Sequence, residues 1–155
     1  MTTMENRTTV LEMLDAALNR GDISVVERTV AGDHIEHETD GDEVGREHVA
    51  QGILAYRAAF PDLRMSFDDQ ICEGDRVVTR WTGTGTHLGN LNGVPPTGQV
   101  AEVWGVFIHR LAAGRITETW TSFDQLDLLK QLRVIPPPTA GGSTPVKHAP
   151  TAARQ

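Results

Sequence analysis

The chain has 155 residues, 39% of them apolar, with a formal charge of −7 and a pI of about 5.3. That is one domain with enough apolar surface for a core, which excludes global disorder. There is no Lys/Arg-rich run, which argues against a nucleic-acid backbone binder. No apolar run approaches the ~18 residues of a membrane span. Cys72 is the single cysteine, so no disulfide can form within the chain, and a small apolar packing role suits it. The opening MTTMENRTTV lacks an apolar core of the signal-peptide type, so a cytoplasmic protein is expected.

Thr8 to Arg20 predicts an amphipathic helix with Val10, Leu14, Ala17 and Leu18 on one stripe, stopped by Gly21. Asp22 is placed to cap a short second helix carrying Val25, Val26 and Val30. Asp33 to Glu38 alternates weakly and predicts a short strand, followed by an acidic turn at Asp40, Gly41 and Asp42. Arg46 to Phe60 predicts a third helix with Val49, Ile53, Tyr56 and Phe60 inward, ended by Pro61.

From Leu63 the period becomes two. One strand runs from Leu63 to Glu73, and Glu73-Gly74-Asp75 makes a hairpin turn. Arg76 to His87 is a second strand, Leu88 to Pro96 a Gly/Asn/Pro loop, and Val100 to Leu111 a third strand. Arg115 to Phe123 is the fourth, and Leu126, Leu129 and Leu132 then recur at helical spacing. On the fourth strand Ile116, Glu118, Trp120 and Ser122 are expected on one face, and Thr117, Thr119, Thr121 and Phe123 on the other.

Helices followed by an antiparallel meander predict an α+β fold, a curved sheet with helices over one face and room for a small molecule at its wide end. Both faces of the meander carry apolar side chains, so alternation alone does not choose the inward one. The domain is expected over residues 1–134, with a disordered Pro/Gly/Ala-rich tail over 135–155.

Asp124 is the foremost candidate catalytic group. It lies where strand becomes helix, and an acid in apolar surroundings gains basicity. Asp is also a favoured helix N-cap, and both roles are compatible. His34 and His37 suggest a metal at first sight, but an odd separation on a strand points them to opposite faces, so no metal is expected. His37 is the second catalytic candidate, with Glu36 beside it as a polar pocket group. Arg80 on a central strand needs a carboxylate, for which Glu102 or Asp124 is available, or else anchors a substrate. Trp81, Trp104 and Trp120 are either core or the walls of a pocket for a flat apolar ligand. His87 is either an acid–base group or a surface histidine.

Gly85-Thr86-His87-Leu88-Gly89, then Gly93-Val94-Pro95-Pro96-Thr97-Gly98, Gly114-Arg115-Ile116 and Trp120 stand in order along the meander. Asp124 with Leu128-Leu129 and Gln131-Leu132 completes the series. In these residues, from about Thr8 to Val134, the chain resembles the SnoaL-like polyketide cyclases. The resemblance implies a cone-shaped NTF2-like barrel, a cofactor-free enzyme with a hydrophobic cavity, and a homodimer, often in aromatic polyketide biosynthesis. It further implies an intramolecular aldol closure by an Asp and a His. Aligned without gaps, those positions carry Thr121 and Phe107, neither of which moves a proton at neutral pH. Thr121 and Phe107 are therefore expected to line the pocket, without that mechanism. The readings are a cyclase or isomerase of secondary metabolism using general acid–base catalysis, a hydroxylase or epoxide-opening variant, and a non-catalytic small-molecule binder or a partner-binding dimer.

Overall fold

The computed structural model describes residues 2–136; most of the expected tail lies outside them. Helix α1 (Thr3–Leu14) starts five residues before the predicted helix. The reason is a capping box: the Thr2 side chain accepts from Glu5 N, and the Glu5 carboxylate accepts from Thr2 N. The helix widens into a π turn over Asp15–Asn19. Helix α2 (Ser24–Thr29) is shorter than expected, because Val30 already belongs to strand β1 (Val30–Glu38). Of the expected acidic turn, Gly41 and Asp42 belong to a further strand, β2 (Gly41–Val44), which folds back on β1 through four residue pairs. Then follow α3 (Arg46–Ala59), β3 (Arg64–Glu73), β4 (Arg76–Thr86), β5 (Val100–Ala112), β6 (Arg115–Phe123) and α4 (Gln125–Gln131).

The fold is α+β. Six strands form one curved, unclosed sheet in the order β2-β1-β6-β5-β4-β3, with the N-terminal helices against it. The meander is antiparallel as expected, but β1 joins β6 in parallel. Short sequence spacing sets the hairpins, while nothing local announces the β1–β6 pair.

The inner, helix-covered face is fixed by burial. On β4 it carries Val77, Thr79 and Trp81, and on β5 it carries Gly105, Phe107, His109 and Leu111. The larger core joins α1, the π turn and α2 to this face through Val10, Leu14, Ala17, Val25, Val77 and Ile116. A second cluster sets the end of α3 (Ala59, Phe60) and α4 (Leu128, Leu132) against Leu91 and Ala101. Leu126, expected inward, is exposed, because Leu128 and Leu132 take the i, i+4 stripe.

One bulge changes the predicted faces of β6. Leu111 pairs Ile116 and Arg110 pairs Glu118, so Thr117 is the extra residue. Ile116 is thus buried inward while Glu118, Trp120 and Ser122 face outward, and Thr119, Thr121 and Phe123 inward.

Two motif residues have simple local jobs. Gln131 receives Glu102 N and donates to Glu102 O, both at 2.8 Å, replacing the strand partner that β6 is too short to supply. Thr97 holds His87, donating its backbone N–H to Nδ1 at 3.2 Å, while Gly98 (φ 70°) lets its own N–H return to His87 O.

Candidate functional site

The expected site residues divide between the two faces of the sheet. Asp124 is exposed. It caps α4 by accepting from Asp127 N at 2.9 Å, so the apolar setting expected for it is absent and the cap role alone remains.

His37 points outward. It lies between Asp42 (2.9 Å from Nδ1) and Glu118 (2.8 Å from Nε2), and its ring stacks on Trp120 at 4.4 Å. The bond to Glu118 raises the His37 pKa and holds that of Glu118 low, while Arg110 also pairs with Glu118. Both ring nitrogens of His37 are thus spent on carboxylates of neighbouring strand residues.

Arg80 is half-exposed and outward. Neither Glu102 nor Asp124 is its partner; Asp69 binds it at 2.6 Å and Asp68 at 3.4 Å. The three tryptophans do not converge. Trp81 is buried inside, Trp120 lies outside on His37, and Trp104 is 64% exposed. Arg80, Glu102 and Trp104 do meet, with Thr82 and Val103, around an open hollow of about 330 Å³. His87 is neither a surface group nor accessible: it is fully buried, tilted against Phe60 at 5.5 Å.

Glu36, Thr121 and Phe107 face inward together. The Thr121 hydroxyl donates to Glu36 Oε1 at 3.5 Å across the β1–β6 seam. Phe107 is the β5 partner of Thr121 and stacks on Trp81 at 5.2 Å, which in turn meets Phe123 at 5.8 Å. Burial, reinforced by Glu38, pushes the Glu36 pKa up. Around it on β1 and α3 stand Glu38, bonded to His48 at 2.8 Å, and Tyr56, whose pKa burial also raises. The bond to Glu38 raises the His48 pKa.

Deeper on the same face lies a pair of which the sequence reading missed His109 and weighed His34 only as a metal ligand; His34 does point away from His37, as expected. His34 Nε2 meets Thr119 Oγ1 at 2.8 Å, and Thr119 is the β6 partner of His109. Both imidazoles are buried with an unpartnered Nδ1. Burial lowers the His34 pKa to about 4 and the His109 pKa to about 3, so both are neutral at physiological pH. The signal for His109 was present: it alternates with Phe107 and Leu111 on a long strand. Among the described residues, no cluster of three or more His, Cys, Asp or Glu side chains is arranged to hold a metal. Nor is any helix long and apolar enough to cross a membrane.

The model of the SnoaL-like polyketide cyclase family matches residues 8–132. Among solved structures, AclR from Streptomyces galilaeus, a candidate hydroxylase, is 31% identical (TM-score 0.79), covering 90% of this chain and 87% of AclR. IdmH from Streptomyces antibioticus, a candidate polyketide cyclase, is 30% identical (TM-score 0.71), covering 83% of this chain and 98% of IdmH. A candidate SnoaL-like cyclase from Jannaschia sp. CCS1 is 26% identical (TM-score 0.79), covering 86% and 94% of the two chains. No curated protein matches.

Proposed function

Because this chain belongs to the SnoaL-like polyketide cyclase family, with its NTF2-like fold, we propose that it is a cofactor-independent cyclase or isomerase of small, flat carbonyl compounds. It acts in polyketide-type secondary metabolism in the cytoplasm and uses general acid–base catalysis. One observation carries this reading. Glu36, Glu38, His48, Tyr56 and Thr121 gather on the inner face, beside an aromatic wall of Trp81, Phe107 and Phe123. Ionisable groups set against apolar surface are what proton transfer at carbon requires.

The test is α-proton exchange. Linear and cyclic β-diketones are incubated with the protein in D₂O, and deuterium uptake is followed by NMR. Exchange well above the buffer rate supports the reading. Binding without exchange favours a small-molecule binder instead.

The partner is proposed to be a second copy of the chain, seated on the outer face. Trp104 (64% exposed), Ile71 (69%) and Val100 (69%) form apolar ground there. The same face carries both signs of charge, in Arg80 and Arg110 and in Asp68 and Glu102, as a two-fold contact needs. Light scattering should give twice the 16.9 kDa chain mass, and Trp104→Glu should return it to the monomer. A monomeric parent chain overturns the dimer.

A further inference from the structure

We propose that Glu36 is the group that takes and returns the proton, and that the Thr121 hydroxyl is its positioning residue. This rests on the acid–base reading above and goes beyond it by naming the atoms.

The other well-placed carboxylates are already engaged. Glu38 is bonded to His48, Glu118 to His37 and Arg110, and Asp68 and Asp69 to Arg80. Among the described residues Glu36 has no cation within ion-pair distance, and its side-chain hydrogen-bond partner is Thr121. It is half-buried, so a substrate reaches it, yet its carboxyl is partly stripped of water. An ordinary surface glutamate would be freely solvated, and a structural one would be paired. Glu36 is neither. Its neighbour across the seam, Thr121, stands beside Phe107, the start of the aromatic wall. A flat substrate lying on that wall presents its edge to the carboxylate.

The step balances without any co-reactant. A Glu36 carboxylate oxygen takes a proton from the carbon next to a substrate carbonyl. The C–H bond breaks, an O–H bond forms on Glu36, and the electron pair moves to the carbonyl oxygen as an enolate. In isomerisation the proton returns to another atom of the same molecule. In ring closure the enolate carbon bonds to a second carbonyl carbon, whose oxygen takes the proton back from Glu36. Thr121 donates to one carboxylate oxygen and leaves the other for the substrate. It also favours the ionised form, opposing burial.

The experiment measures the pH dependence of β-diketone exchange for wild type, Glu36→Gln, Thr121→Val, Thr121→Ser and the double variant Glu36→Gln/Thr121→Asp. Glu36→Gln should lose about 10²–10⁴-fold in rate, the scale of one acid–base group. Thr121→Val should move the acid limb of the profile to higher pH, and Thr121→Ser should leave it in place. The double variant sets a carboxylate on the adjoining strand, facing the same space, and should recover at least ~10-fold over Glu36→Gln. Circular dichroism confirms folding of each variant. Wild-type exchange matched by Glu36→Gln overturns the assignment of Glu36 alone. An unmoved Thr121→Val profile overturns the positioning role. A wild type inert on every diketone overturns the acid–base reading itself.

Discussion

The Thr121 hydroxyl lies 3.5 Å from Glu36 Oε1, bridging two strands that run parallel and are separated by 85 positions in the chain. Among the described residues no cation lies within ion-pair distance of Glu36, so burial outweighs the Thr121 hydroxyl and the more distant His48 and His37, and its pKa rises above the ordinary 4.5.

A raised carboxyl pKa means that the folded state holds its proton more tightly than the unfolded chain. The associated stability is complete below pH 4.5 and is lost as pH rises through the folded value. Glu36→Gln should therefore be more stable than wild type at pH 7, with the gap closing below pH 4.5. Urea midpoints at pH 7 and pH 4 check this. Equal midpoints at pH 7 would mean the carboxyl is better solvated than its place on the inner face implies.

Asp124 should matter to α4 and not to chemistry. Asparagine is an equally good cap, so Asp124→Asn should keep both stability and turnover. Asp124→Ala should cost about 1 kcal/mol and still turn over. Denaturation and kinetics of the two variants separate the roles, and a large kinetic loss in Asp124→Asn would return Asp124 to the mechanism.

His34 and His109 should make the fold acid-sensitive. Their folded pKa values, about 4 and about 3, lie below the unfolded value of 6.5. Their contribution is whole above pH 6.5 and falls as pH drops toward those values, by on the order of 3 kcal/mol for each at pH 4. His109→Leu removes one of these sites and should shift acid unfolding to lower pH. Fluorescence-monitored acid titration reads the midpoint.

Gly105→Ala should destabilise by about 1–3 kcal/mol or more, through overpacking. A Cβ there would sit 2.5 Å from Trp81 Cζ2, 2.6 Å from Ser122 O and 2.7 Å from Phe123 Cβ. The Ser122 carbonyl is backbone and cannot swing aside. The aromatic wall would have to move with the strand, so exchange activity should fall along with the urea midpoint.

Much of the architecture could be read from local pattern. The meander follows from period-two runs and tight turns between Leu63 and Phe123. What escaped was set by distance or by exception. The β1–β6 pair joins segments with no shared local signal, and β2 (Gly-Asp-Glu-Val) is exposed throughout, so it shows no alternation. The bulge at Thr117 shifted Ile116 to the inner face and broke the simple alternation expected from it. The site was half legible for the same reason. Glu36, Phe107 and Thr121 were singled out and do share a face. His37, Trp104 and Trp120 were singled out too, but apolar side chains on both faces hid that these look outward.

The parallel seam also governs when the protein can become itself. A nascent chain makes β1 and β2 early, and this pair must wait until Arg115–Phe123 has emerged before it can join the rest of the sheet. The β3, β4 and β5 hairpins can assemble during that interval, because each strand follows its partner directly. Glu36 and Thr121 therefore come together only once β6 has joined, and a chain cut short before β6 would lack Ile116, Leu128 and Leu132 of the two core clusters as well as the hydroxyl that orients Glu36.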